Sequence, residues 1–362
     1  MRSSLIAPSA LCLVLPLASC SSIPTAPFGP NGEAAYELEN AQGVRAVFTN
    51  LGATLVSLEL PTAEGPVDIV LGFDSADGYR GEGNQYFGCT VGRVANRIGN
   101  ARFPLEGAAG GGLVEVEAND GPHSLHGGPE GAHLKLWEVS GGGQTLRFRR
   151  LFPDGEGGYP GNLQVEVAYT LTDANTLEIE YEATTDAPTV VNLTHHSYFN
   201  LAGAGAPTVL DHVLTLDAES YTVAGEGLIP TGELASVEGT PLDFREPHAL
   251  GARIAVLDGT PAIGYDHNFV LRGGEGPAAR LEHPASGRWL EVFTNEPGLQ
   301  LYSGNFLFGQ EGKGGQVYRH RSAVCLETQH YPDSPNHPEF PSIRLDPGQT
   351  YRSTCVYALG GF

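Results

Sequence analysis

The stretch "LQVEVAYTLTDANTLEIEYEATT" constrains the fold of this chain more than any other. Leu163, Val165, Val167, Tyr169 and Leu171 fall on every second position, so in an extended segment they share one face. Leu177, Ile179, Tyr181 and Ala183 repeat the pattern, with Glu178, Glu180 and Glu182 on the opposite side. "TDANT" between them reads as a turn, which makes the whole stretch a hairpin with one wet face. "LRFRRLF" (146–152) and "TYRSTCVYAL" (350–359) read as further strands. Beyond the N-terminal segment, no stretch holds a helical period over three turns, and no repeat of fixed period stands out.

Composition agrees with a strand-rich chain. Charged residues make up only 17%, beside 49 Gly and 26 Pro, which suits many short strands joined by turns. An apolar content of 41% excludes disorder. No linker divides the body of the 362-residue chain, so residues 31–362 are expected to form one domain. A β domain of this size is a large sandwich or barrel, and composition does not choose between them.

The N-terminus reads differently. In "MRSSLIAPSALCLVLPLASC", Arg2 precedes an apolar run too short and too broken by proline for a membrane span. Its end, "LASC", resembles a lipobox, so residues 1–19 are expected to be a lipoprotein-type signal peptide and Cys20 the lipidated first residue. Residues 20–30, in "SSIPTAPFGPNG", then serve as a tether. An exported protein of the periplasm or cell envelope follows, touching membrane only through that lipid. Cys89, Cys325 and Cys355 would remain as buried free thiols, because no metal-binding spacing involves them. A net charge of −22 repels nucleic acid and phosphorylated ligands but is indifferent to neutral ones.

Four polar clusters interrupt the strands: "GRVANRIGNARF", "NDGPHSLHGG", "NLTHHSYFNLAG" and "AVCLETQHYPDSPNHPEFPS". If residues 192–199 are extended, His196 points with Asn192, Thr194 and Tyr198, and His195 points the other way. Likewise Cys325, Glu327 and Gln329 share a face, opposite Val324, Leu326 and Thr328. A Glu and a His on facing strands make a general acid/base pair. Taken singly, each is more often a hydrogen-bonded structural group than a catalytic one. No HExxH spacing occurs at these clusters, so zinc is not expected.

These motifs, with "GYPGNLQVEVAYTL", "GYDHNFVL" and "EPGLQLYSGNF", occur in order from about Ala46 to Tyr357. Together they resemble the aldose 1-epimerase (galactose mutarotase) family. The resemblance implies an all-β fold, a large antiparallel β-sandwich of the galactose mutarotase-like supersandwich type. It implies a monomer or weak dimer that interconverts anomers of free sugars such as glucose and galactose without metal or cofactor. Glu327 matches the general base at the C1 hydroxyl, and His196 the general acid at the ring oxygen. Asn96, Arg97, His126, Asp243 and Glu296 match positions that bind the sugar. His195 stands where the family usually has Asn.

Three rivals need different features. A hexose-6-phosphate 1-epimerase needs additional cations for phosphate. A non-catalytic sugar-binding lipoprotein does not need the His/Glu pair. A glycosidase needs two carboxylates and not His196.

Overall fold

The computed structural model describes residues 24–107 and 112–362. The expected signal peptide, residues 1–19, and the lipidation site Cys20 lie outside them. Among the described residues the chain is nearly all strand, with one short α-helix, Ala76–Arg80, and several 3-10 turns. No helix among them is long and apolar enough to cross a membrane.

The hairpin forms as the alternation requires. Strands Leu163–Leu171 and Thr176–Thr185 pair antiparallel, with Val167 opposite Tyr181 and Tyr169 opposite Ile179. Asn175 makes the turn with φ of 61°, a conformation its short polar side chain tolerates. The strand Tyr351–Gly360 joins the far side of the hairpin, and the pair becomes the centre of a nine-stranded sheet.

Two five-stranded sheets complete the layers. The N-terminal one packs on the large sheet through aromatic rings: Phe48 lies 4.7 Å from Tyr169 and 6.1 Å from Phe148. The other contains the strands Asp266–Leu271, Gly298–Tyr302 and Cys325–Gln329. Its inner face, with Phe269, Leu299, Leu301 and Leu326, belongs to the same continuous core. Its opposite face is polar and is still covered, by loops from the N-terminal half of the chain. That covered polar face positions the candidate site.

The expected boundary at residue 31 moves. Residues 26 and 27 of the tether pair with Ala34 and Ala35 as an edge strand. Phe28 is buried against Tyr79 at 5.9 Å, and its carbonyl oxygen accepts from the Ala76 N–H at 2.9 Å. One buried apolar ring is enough to pin an otherwise exposed Pro/Gly-rich segment against the body. Phe28→Ala is therefore expected to lower stability by about 2–4 kcal/mol in urea unfolding. An unchanged midpoint would return residues 24–30 to the role of a tether.

Candidate active site

The floor of the site is a matter of register. Asp266, Tyr302 and Cys325 form one cross-strand row, and Asn268, Gln300 and Glu327 form the next. Because side chains alternate, both rows point away from the core that takes Leu299, Leu301 and Leu326. Glu327 is nevertheless buried, since loops close over it.

His196 comes from the segment that follows the short strand Thr194–His195. Its N–H donates to the Cys89 carbonyl at 3.0 Å, and its carbonyl accepts from Gly88 N–H at 2.9 Å. The Thr194 hydroxyl donates to the Thr328 carbonyl at 2.8 Å and ties this segment to the strand bearing Glu327. His196 Nε2 then faces Glu327 Oε2 at 3.6 Å, beyond hydrogen-bonding distance. The ring stacks on Tyr198 at 5.1 Å and meets His126 edge-on at 5.2 Å.

The third wall is a tight loop. Asn96 and His126 both adopt positive φ and clasp each other: His126 N–H donates to the Asn96 carbonyl, and Asn96 N–H donates to His126 Nδ1 at 3.2 Å. Because Nδ1 accepts, neutral His126 carries its proton on Nε2. Arg97 follows, with Nε donating to Asp120 Oδ2 at 2.8 Å. The proline-rich loop after the Glu327 strand buttresses this wall. Asp333 N–H donates to the Arg97 carbonyl at 2.9 Å, and Asp333 Oδ1 accepts from Gly99 N–H at 2.9 Å. Tyr86, also at positive φ, packs its ring 4.6 Å from His126 and 5.9 Å from His196. A non-glycine residue held there costs free energy that the surrounding packing must offset.

Burial dominates the electrostatics. It raises Glu327 well above the ordinary carboxylate value; the neighbouring Asp266 adds to the rise and Arg97 opposes it. Burial also raises Asp266. The same cause lowers His196 to about 4 and keeps His126 neutral. Glu327 Oε2, Gln300 Oε1 and both polar ends of Asn268 are buried with no hydrogen-bond partner among the described residues. Buried polar atoms are almost always satisfied, so a row of orphans on one polar floor is what a cleft for a hydroxylated ligand presents. The cleft is lined by Asn96, Arg97, His126, His196, Asp266 and Glu327, with Gln85, Leu125 and Phe306 and the rings of Tyr86, Tyr198 and Tyr302. His126, His196 and Glu327 also present ligand atoms within 4.8 Å of one another, so these three could hold a metal ion.

Five of the expected residues, Asn96, Arg97, His126, His196 and Glu327, converge here. Two do not. Asp243 is spent on a bidentate pair with Arg245, at 2.9 and 2.8 Å, outside the cleft. The carboxylate on the floor is instead Asp266, of "GYDHNF". Glu296 is buried behind the floor, where Oε2 meets His330 Nδ1 at 2.5 Å. Gln300, four positions later, occupies the polar row and donates to Asp266 at 2.5 Å. Alternation along "EPGLQLYSGNF" places Gln300 and Tyr302 on one face and could have found them. No pattern marks Tyr86, which a loop delivers. His195 points away, toward Ser197 Oγ at 2.7 Å and Tyr169. Arg93 serves the fold by donating to the carbonyls of Pro160, Gly161 and Phe152. His123 lines a larger groove of about 920 Å3 nearby. The groups of that groove already hold its turns together, as Asn100 N–H donating to His123 Nδ1 and Asn336 donating to Asp333 do.

Comparison with known proteins places the chain in a family. The aldose 1-epimerase family profile matches residues 34–358. Galactose mutarotase of Bos taurus is 44% identical over 332 residues, covering 91% of this chain and 94% of the relative. Aldose 1-epimerase of Escherichia coli K12 is 38% identical over 328 residues, covering 88% and 93%. Among solved structures, an aldose epimerase homologue from C. elegans superposes with a TM-score of 0.83 at 33% identity, covering 91% of this chain and 99% of that one. Galactose 1-epimerase from Lactobacillus acidophilus gives a TM-score of 0.76 at 28% identity, covering 91% and 94%. The chain belongs to the aldose 1-epimerase family.

Proposed function

We infer that this protein interconverts the α and β anomers of free hexoses such as glucose and galactose by general acid/base catalysis. The observation that carries the reading is the buried pair His196 and Glu327, 3.6 Å apart in a polar cleft. Ring opening removes a proton from the C1 hydroxyl, breaks the bond from C1 to the ring oxygen, and delivers a proton to that oxygen. Glu327 is the base for the first transfer and His196 the acid for the second. Rotation about C1–C2 presents the other face of the aldehyde, and the same two groups reverse their roles on closure. One proton shared by the pair is sufficient, since none is consumed over the cycle. Arg97 and the sugar's own hydroxyls favour the carboxylate form of Glu327 once the ligand is bound.

His126 donates from Nε2 to a sugar oxygen, and Asp266 with Gln300 accepts sugar hydroxyls. A phosphorylated sugar is disfavoured. Among the described residues, Arg97 is the single cationic side chain lining the cleft, and its Nε is already given to Asp120.

Glu327→Gln and His196→Ala are each expected to lower kcat by about 10²–10⁴-fold, read by polarimetry on freshly dissolved α-glucose. In the same assay Asp266→Asn should lose about tenfold or more in kcat/KM, whereas Asp243→Asn should behave as wild type. The opposite ranking of the two aspartates would restore Asp243 to the site.

The pH dependence follows from the two shifts. Below about pH 4, His196 takes a second proton and the pair has no base left. Above the raised pKa of Glu327 the pair has no proton left to give. kcat/KM is therefore expected to show its acid limb near 4 and to fall again above the raised pKa of Glu327. A limb near 6.5, the ordinary imidazole value, would contradict this burial-driven picture.

The N-terminal sequence supports export and anchoring by a lipid on Cys20. Mass spectrometry of the mature protein from membranes should find an acylated Cys20 as the first residue. An intact Met1, or an unmodified Cys20, would remove the anchor.

A further inference from the structure

The unpaired polar groups of the floor continue past the edge of the cleft. Asn268, Gln300 and Glu327 form one cross-strand row, and Gly298 and Gln329 lie opposite each other in the next. Gln329 follows Glu327 by two positions on the strand Cys325–Gln329, so both point to the polar side. Both amide atoms of Asn268, both of Gln329, Gln300 Oε1 and Glu327 Oε2 are buried with no hydrogen-bond partner among the described residues. Yet neither Asn268 nor Gln329 lines the cleft.

Gly298 lets the two amides approach each other. A Cβ there would come within 2.6 Å of Asn268 Oδ1 and 3.0 Å of the Tyr331 ring. The Asn268 amide therefore leans over Gly298, toward the Gln329 strand. Tyr331 covers this spot and packs edge-on against Phe340 at 5.3 Å, which separates it from bulk solvent.

We propose that Asn268 and Gln329, with Gln300, hold buried water beneath Glu327, and that this water solvates the catalytic carboxylate from the strand side. The proposal rests on the base role given to Glu327 above.

Three arguments support it. First, the unpaired atoms are gathered on adjacent positions of one face rather than scattered. A buried water takes about three hydrogen bonds, and such a cluster supplies them. Second, each amide offers both a donor and an acceptor, so a water between them is free to turn. Glu327 alternates between carboxylate and carboxylic acid in every turnover. Water donates to the first form and accepts from the second, whereas a fixed donor would favour only one. Third, Glu327 needs a donor on that side. Burial and the nearby Asp266 disfavour its charge, and Arg97 opposes them from the cleft wall. A bridging water adds a hydrogen bond nearly as good as a direct one.

Asn268 and Gln329 are thus positioning residues, since they act on Glu327 through water and do not meet the sugar. A high-resolution crystal structure of the resting wild-type protein should show ordered water within hydrogen-bonding distance of both amides. Amides bonded directly to each other, with no water between them, would overturn the proposal. Gln329→Met and Asn268→Leu keep the bulk and remove the hydrogen bonds. Each is expected to lower kcat about tenfold with KM little changed. Asn268→Ser keeps a hydroxyl and admits a second water, so it should retain most of the wild-type kcat. Thermal unfolding of each variant shows whether the fold is intact. If the apolar variants do not fold, the wild-type structure decides the question by itself. An unchanged kcat in both folded apolar variants would overturn the proposal, as would a raised KM with kcat unchanged. The water is located without turnover, so it stands or falls separately from the epimerase reading. A protein inactive on every aldose but with the water in place would sink that reading and leave the hydration of Glu327 standing. An active protein with no water there would do the reverse.

Discussion

A carboxylate buried beside an imidazole is the constraint around which this structure is arranged. Glu327 and His196 each lose solvation on folding, and neither gains a full hydrogen bond from the other at 3.6 Å. Burying two ionisable groups this way costs stability unless something is returned. What is returned is chemistry. Isolated from water, the pair holds its protons away from their ordinary values, and a bound sugar meets groups that need not reorganise.

The fold meets that cost through a division between the two faces of one sheet. Leu299, Leu301 and Leu326 anchor the inner face in the core shared with the nine-stranded sheet. The outer face carries Asp266, Gln300 and Glu327 in adjacent rows, so a rigid ladder sets their spacing. Loops supply the remaining walls and are themselves pinned. Asp333 holds the Arg97 and Gly99 backbone, Asn96 and His126 clasp each other, and Thr194 ties the His196 segment to the Glu327 strand. The proline-rich loop after Glu327 is thus a support for Arg97.

Period-2 alternation made the local part of this legible in the sequence. It placed the hairpin, turned His195 away from His196, and put Glu327 opposite Leu326. Nothing in those readings needed a partner strand. The errors fall where a partner was needed. Asp243 sits in a loop and is satisfied by Arg245 two residues on, whereas Asp266 reaches the site only because its strand pairs with Gly298–Tyr302. Glu296 and Gln300 are four residues apart, and the turn between them sends one behind the sheet and the other onto it. Tyr86 depends on a positive φ in a loop, which no periodicity records. The tether was misjudged because one aromatic, Phe28, outweighed the surrounding prolines and glycines.

The central claim is that the His196–Glu327 cleft interconverts sugar anomers. The most direct measurement is exchange NMR on glucose or galactose already at anomeric equilibrium, with the wild-type protein present. Cross-peaks between the α and β anomeric protons, growing with protein concentration, are the result this account predicts. Exchange no faster than in buffer alone, with protein that is folded, would contradict it.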